Sequence, residues 1–210
     1  QSQIMGDLLI DVPAESQVHK QVVRKAASTR AIEMNPATRL YFVEVAQPDM
    51  HEPTGDFERL TVALRDQWDI PTPTCDLSLL TKLQPVLRKG KWQVTVAIYN
   101  DHTGGAPRIT ALWPGLHEAG IFGLAIDLGS TTVAAHLCDL TNGEVVASSG
   151  IMNPQIRFGE DLMSRVSYSM MNPGGDREMT QAVRDAINVL IDELAQEASV
   201  DSAQILEVVF

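Results

Sequence analysis

Two hundred and ten residues with 44% apolar side chains suffice for one or two packed domains and exclude a globally disordered chain. Sixteen basic against twenty-seven acidic residues leave a net charge of −11, which disfavours a phosphate backbone as the main partner. No apolar run reaches the length of a membrane span and the amino-terminal residues lack a signal-peptide layout, so the chain reads as cytoplasmic, without nucleic-acid or membrane partners. Cys75 and Cys138, far apart and in no CxxC spacing, read as reduced, buried thiols, and are too few to hold an iron–sulfur cluster.

In chain order, Leu8 to Val12 is a short apolar run closed by Pro13 and reads as one strand; residues 26–30 read as a connector. Arg39 to Ala46 is β-branched and aromatic, a strand cut off at Pro48. Asp56 is the expected N-cap of a helix from Phe57 to Trp68, with Leu60, Ala63, Leu64 and Trp68 on its buried face. Pro71 and Pro73 should exclude regular structure before a second helix, Leu77 to Leu87, introduced by Asp76 and distorted late by Pro85. Trp92 to Tyr99 and Arg108 to Trp113 read as an antiparallel pair across a Gly104-Gly105 turn, a hairpin and not a phosphate cradle. This region is therefore a small α+β domain with helices on one face of a sheet, ending near residues 115–122. His51, His102 and His117 stand singly, without partners at metal-ligand spacing.

From Ile121 the pattern becomes strand after strand: Gly123 to Asp127, Thr132 to Asp139, then Glu144 to Ser149 after an Asn142-Gly143 hairpin signal. His136 shares a face with Thr132 and reads as structural. Asn153 to Val166 reads as a loop, then a helix from about Gly159-Glu160, with Glu160 and Asp161 in its first turn and Asp161 facing Arg165. Met163, Met170 and Met171 read as core filler. Asp176 should cap the longest helix, whose apolar residues from Met179 to Ala198 recur at intervals of three and one and form a stripe suited to covering a sheet. Ile205 to Phe210 reads as a further buried strand.

The turn between the first two of these strands carries the chemistry. Asp127 ends an apolar strand and Gly129-Ser130-Thr131-Thr132 follows. A glycine turn with outward amides and neighbouring hydroxyls suits phosphate oxygens, and a carboxylate beside it suits magnesium, usually through water. The same residues also fit a plain hairpin corner, and spacing alone weighs the two readings equally.

The stretch Leu124-Ala-Ile-Asp-Leu-Gly-Ser-Thr-Thr132 resembles the first phosphate motif of the superfamily that includes actin, sugar and acetate kinases and the heat-shock ATPases. Asn153-Pro-Gln-Ile-Arg-Phe-Gly-Glu-Asp-Leu-Met-Ser-Arg-Val166 resembles, more specifically, the ATPase domain of reductive activators of corrinoid proteins. The resemblance implies a linker over 1–30, a small α+β middle domain over 31–119, and over 120–210 the truncated amino-terminal part of a ribonuclease-H-like ATPase domain. It implies ATP and Mg2+ as cofactors, with Asp127 as the metal-organising carboxylate and Gly129, Ser130, Thr131 and Thr132 as phosphate cradle, in a site of which this chain holds only a part. It implies a [2Fe-2S] domain upstream of Gln1, a corrinoid protein or corrinoid-dependent methyltransferase as partner, and return of inactive Co(II) to Co(I); it leaves room for a homodimer of the full-length protein. The isolated chain should bind ATP poorly. A sugar-kinase-like phosphotransferase fragment and a non-catalytic interaction module remain the alternatives.

Overall fold

The computed structural model describes residues 34–100 and 103–210; the expected strand at 8–12, the linker over 1–30 and His102 lie outside them. Two four-stranded sheets follow one another along the chain, each with its own hydrophobic core, an α+β architecture as the sequence implies.

The first sheet has the order β1-β3-β4-β2, from β1 (Thr38–Glu44), β2 (Thr74–Cys75), β3 (Gln93–Tyr99) and β4 (Arg108–Pro114). β3 pairs antiparallel with both neighbours, so it is central, and Val94, Val96 and Ile98 alternate onto one buried face. Helices α1 (Asp56–Trp68) and α2 (Leu77–Lys89) set Leu60, Leu64, Leu83 and Leu87 against that face. Thr74-Cys75, in the stretch the prolines were expected to keep irregular, pairs parallel with β4: proline removes only its own N–H, and Thr74 supplies one, to the Pro107 carbonyl at 2.8 Å. The N-cap of α1 is Gly55 and not Asp56; Asp56 lies inside the first turn, where it pairs with Arg59. Trp68 is half-exposed, with its Nε1 donating to the Phe42 carbonyl at 2.7 Å.

The second sheet has the order β7-β6-β5-β8, built from β5 (Phe122–Leu128), β6 (Thr132–Asp139), β7 (Val145–Met152) and β8 (Ile205–Val209). The expected antiparallel meander is present in β5, β6 and β7. Leu124, Ile126, Val133, Ala135, Leu137 and Ala147 turn to one side and meet Leu190 and Leu194 of α4 (Gly175–Ala198), so the apolar stripe covers a sheet as its spacing requires. The N-cap of α4 is Gly174, left-handed at φ 88°, and Asp176 sits inside the first turn. β8 pairs parallel with β5 along one edge; its Val208 and Val209, expected to be buried, are exposed, because an edge strand meets a neighbour on one side only.

Between β7 and α4 lie a 3-10 turn, Pro154–Phe158, and the helix α3 (Leu162–Met171). The helix starts later than expected, so Glu160 precedes it and Asp161 is its N-cap. Tyr168 anchors it from within, ring against Phe158 at 5.0 Å and hydroxyl donating to Glu178 at 2.8 Å. With that side inward, Met163, Met170 and Met171 point outward and are exposed, against the expectation that they fill the core.

Candidate functional site

Asp127 is the penultimate residue of β5 and stands opposite Ala134 of β6. Alternation places it on the sheet face away from α4, with Thr132 and His136. His136 accounts for itself structurally, its Nδ1 lying 2.8 Å from Ser148 Oγ on β7. His117 likewise stacks on Trp113 with ring centroids 4.0 Å apart and has its Nε2 3.0 Å from the Gly120 carbonyl. Among the described residues no cluster of His, Cys, Asp and Glu is set to hold a metal by itself, so a cation at Asp127 needs further ligands.

The turn after Asp127 is held by its carbonyls. Gly129 N–H closes it onto the Thr132 carbonyl at 2.9 Å, and a Cβ on Gly129 would lie 2.9 Å from that same oxygen, closer than real Cβ contacts allow, so glycine is required here by proximity. The Gly129 carbonyl accepts from Asn153 Nδ2 at 2.8 Å, the Ser130 carbonyl from Arg165 Nη2 at 2.6 Å, and the Thr131 carbonyl from the Asn153 backbone N–H at 2.8 Å. Ser130 and Thr131 are exposed, Gly129 and Thr132 half-buried. The structure thus brings together all five residues that the sequence singled out and adds Asn153 and Arg165, which the motif contained but whose contact its spacing did not reveal.

These two residues are placed with care. Asn153 begins the 3-10 turn, its Oδ1 accepting from Gln155 N–H at 2.8 Å, while Pro154 suits the first position of such a turn. Arg165 donates from Nε to the Gly159 carbonyl at 2.9 Å, so its guanidinium directs its hydrogen bonds to two carbonyls and meets the facing Asp161 expected from spacing through its charge, the smallest of the influences that lower that carboxyl's pKa. Gly159 lets the loop touch the helix, for a Cβ there would fall 2.6 Å from Ser164 Cβ and 2.8 Å from Arg165 N. Asp161 accepts from Ser164 N–H at 2.7 Å, and chiefly this bond, with the Ser164 hydroxyl, holds its carboxyl below the usual range. A group with a depressed folded pKa stabilises above its unfolded value and loses that contribution as pH falls through the folded one. The thermal midpoint of the native chain should therefore exceed that of Asp161→Asn at neutral pH and converge with it below the ordinary aspartate range; a difference constant with pH would show that the charge is not involved.

Behind α3 a groove of about 330 Å³ is lined by Leu162, Val166, Met170 and Met179 beside Gln155 and Arg165. Its apolar lining does not suit a phosphate, which needs converging donors. Cys75 and Cys138 belong to different sheets, and burial raises both thiols above their ordinary pKa, with Asp76 adding to the shift at Cys75. They do not fit an iron–sulfur cluster, which takes thiolates converging on one point. No helix among the described residues is long and apolar enough to cross a membrane.

Comparison with known proteins gives a consistent result. The RACo linker region model matches residues 27–119 and the RACo middle region model residues 122–210, dividing the chain between the two sheets. The corrinoid activation enzyme RamQ of Eubacterium limosum is 31% identical over 93 residues, 44% of this chain and 16% of RamQ. A solved reductive activator for corrinoid, iron-sulfur protein superposes with a TM-score of 0.71 at 31% identity, over 86% of this chain and 28% of that one. The chain thus spans a minor part of the length of both relatives. With two consecutive regions of one family matched in order and an activator's fold shared over most of its length, the chain belongs to the RACo-type reductive activators of corrinoid proteins.

Proposed function

We propose that these residues are part of an ATP-dependent activator that returns an inactive Co(II) corrinoid protein to Co(I). The one electron required comes from a [2Fe-2S] cluster bound outside these 210 residues, and ATP is hydrolysed to ADP and phosphate alongside the transfer. In this reading residues 31–119 are a small α+β domain, within the stretch matched by the linker region model, and 120–210 the first part of the ATPase fold, within the stretch matched by the middle region model; the protein works in the cytoplasm on a corrinoid protein or corrinoid-dependent methyltransferase. Names of the relatives support the corrinoid partner.

The observation that carries the nucleotide assignment is the turn itself, with three consecutive carbonyls engaged by Asn153 and Arg165. Carbonyl and following N–H point in opposite directions across a trans peptide, so the Ser130, Thr131 and Thr132 amides face the other way, as an anion site needs. These amides, with the Ser130 and Thr131 hydroxyls, hold phosphate oxygens, and Asp127 holds Mg2+ through water. Bound Mg2+–ATP supplies the free energy that drives an unfavourable electron transfer.

The test uses the full-length protein. A [2Fe-2S] absorption spectrum together with ATP-dependent conversion of a Co(II) corrinoid protein to Co(I) is the expected result. A colourless protein that binds ATP without reducing cobalt would favour a kinase-like phosphotransferase instead.

A further inference from the structure

Two polar side chains are buried beside the turn, Asn153 at 2% and Arg165 at 6% exposure. Burying an amide and a guanidinium is costly unless their donors are satisfied, and both direct donors to the turn: Asn153 to Gly129, and Arg165 to Ser130 while also holding Gly159. If this region were only a hairpin corner, its carbonyls would be satisfied by solvent at the exposed Ser130 and Thr131, and no buried cation would be needed. We infer that Asn153 and Arg165 are positioning residues for phosphate binding, which aim the Ser130, Thr131 and Thr132 amides and, through the Arg165 charge on the Ser130 carbonyl, polarise the Ser130–Thr131 peptide so that the Thr131 N–H is a stronger donor.

The polarisation follows from hydrogen-bond cooperativity: a cation on the carbonyl end of a peptide withdraws charge from its N–H end. Geometry adds a second effect. Arg165 grips the turn and the Gly159 loop in one fork, which the single ammonium of a lysine cannot reproduce. Both residues act from behind the peptides, so neither need touch the nucleotide.

This inference rests on the phosphate-cradle reading, and its test separates the two. In the full-length protein with Mg2+, equilibrium affinities for ATP, ADP and adenosine are compared in the native form, Asp127→Asn, Arg165→Lys and Asn153→Asp. Arg165→Lys keeps the charge and loses the fork; Asn153→Asp keeps the acceptor for Gln155 and replaces the donor to Gly129. Each should weaken ATP and ADP about tenfold, the scale of one lost hydrogen bond, and leave adenosine, which lacks phosphates, unchanged. A merely structural role would move all three ligands together, and that result overturns the inference, as does ATP affinity that depends on Asp127 and ignores both variants. A native protein whose ATP affinity does not exceed its adenosine affinity overturns the cradle and its positioning residues alike. Should Asn153→Asp fail to fold, Arg165→Lys decides alone.

Discussion

Asp127→Asn in the full-length activator is expected to lower ATP-dependent cobalt reduction by about 100-fold or more, the usual consequence of removing a group that organises charge on a transferring phosphoryl. The substitution is isosteric and falls at an exposed position near the end of β5, away from the core under α4. Asparagine retains a carbonyl oxygen but loses the charge that a hard cation prefers. Turnover should therefore fall more than ATP affinity, and extra Mg2+ should recover part of it. Undiminished turnover with unchanged Mg2+ dependence would remove Asp127 from the nucleotide site.

Most of the fold is legible in the sequence because its cores are periodic. The stripe from Met179 to Ala198 has one solution that buries it, and it buries as read; Gln93–Tyr99 forms the strand its residues predict, but as the central strand it is buried on both faces from Val94 to Ile98. What escaped is decided by contacts distant in sequence. Thr74-Cys75 is a strand only because β4 lies beside it, and two residues carry no period. Asp56 and Asp176 have the composition of N-caps, yet glycine precedes each and takes the cap position. The methionines of α3 look like core filler until Tyr168 fixes which side of the helix turns inward. At the site, Asp127 to Thr132 announce themselves by local chemistry, whereas Asn153 acts across twenty-four residues and Arg165 across thirty-five. The signal available in sequence was negative: an Asp161–Arg165 spacing explained Arg165 well enough to hide its other contact.

Leu190→Ala is expected to destabilise the second sheet by about 3 kcal/mol while leaving the first in place. Leu190 is fully buried where α4 crosses the sheet, and truncating a buried leucine costs its transfer free energy and leaves a cavity, about 2–5 kcal/mol in all. The two cores share no residue, and the tryptophans report on one of them: Trp68, Trp92 and Trp113 all lie between residues 68 and 113, within or beside the first sheet. The long helix α4, with its 24 residues, contributes heavily to the far-ultraviolet circular dichroism. Urea unfolding of the 210-residue chain should therefore show, for Leu190→Ala, a dichroism transition moved to lower denaturant and a tryptophan fluorescence transition unmoved. Leu64→Ala, fully buried against the first sheet, should shift the fluorescence transition. Coincident shifts in both signals for either variant would mean that the sheets unfold as one cooperative unit.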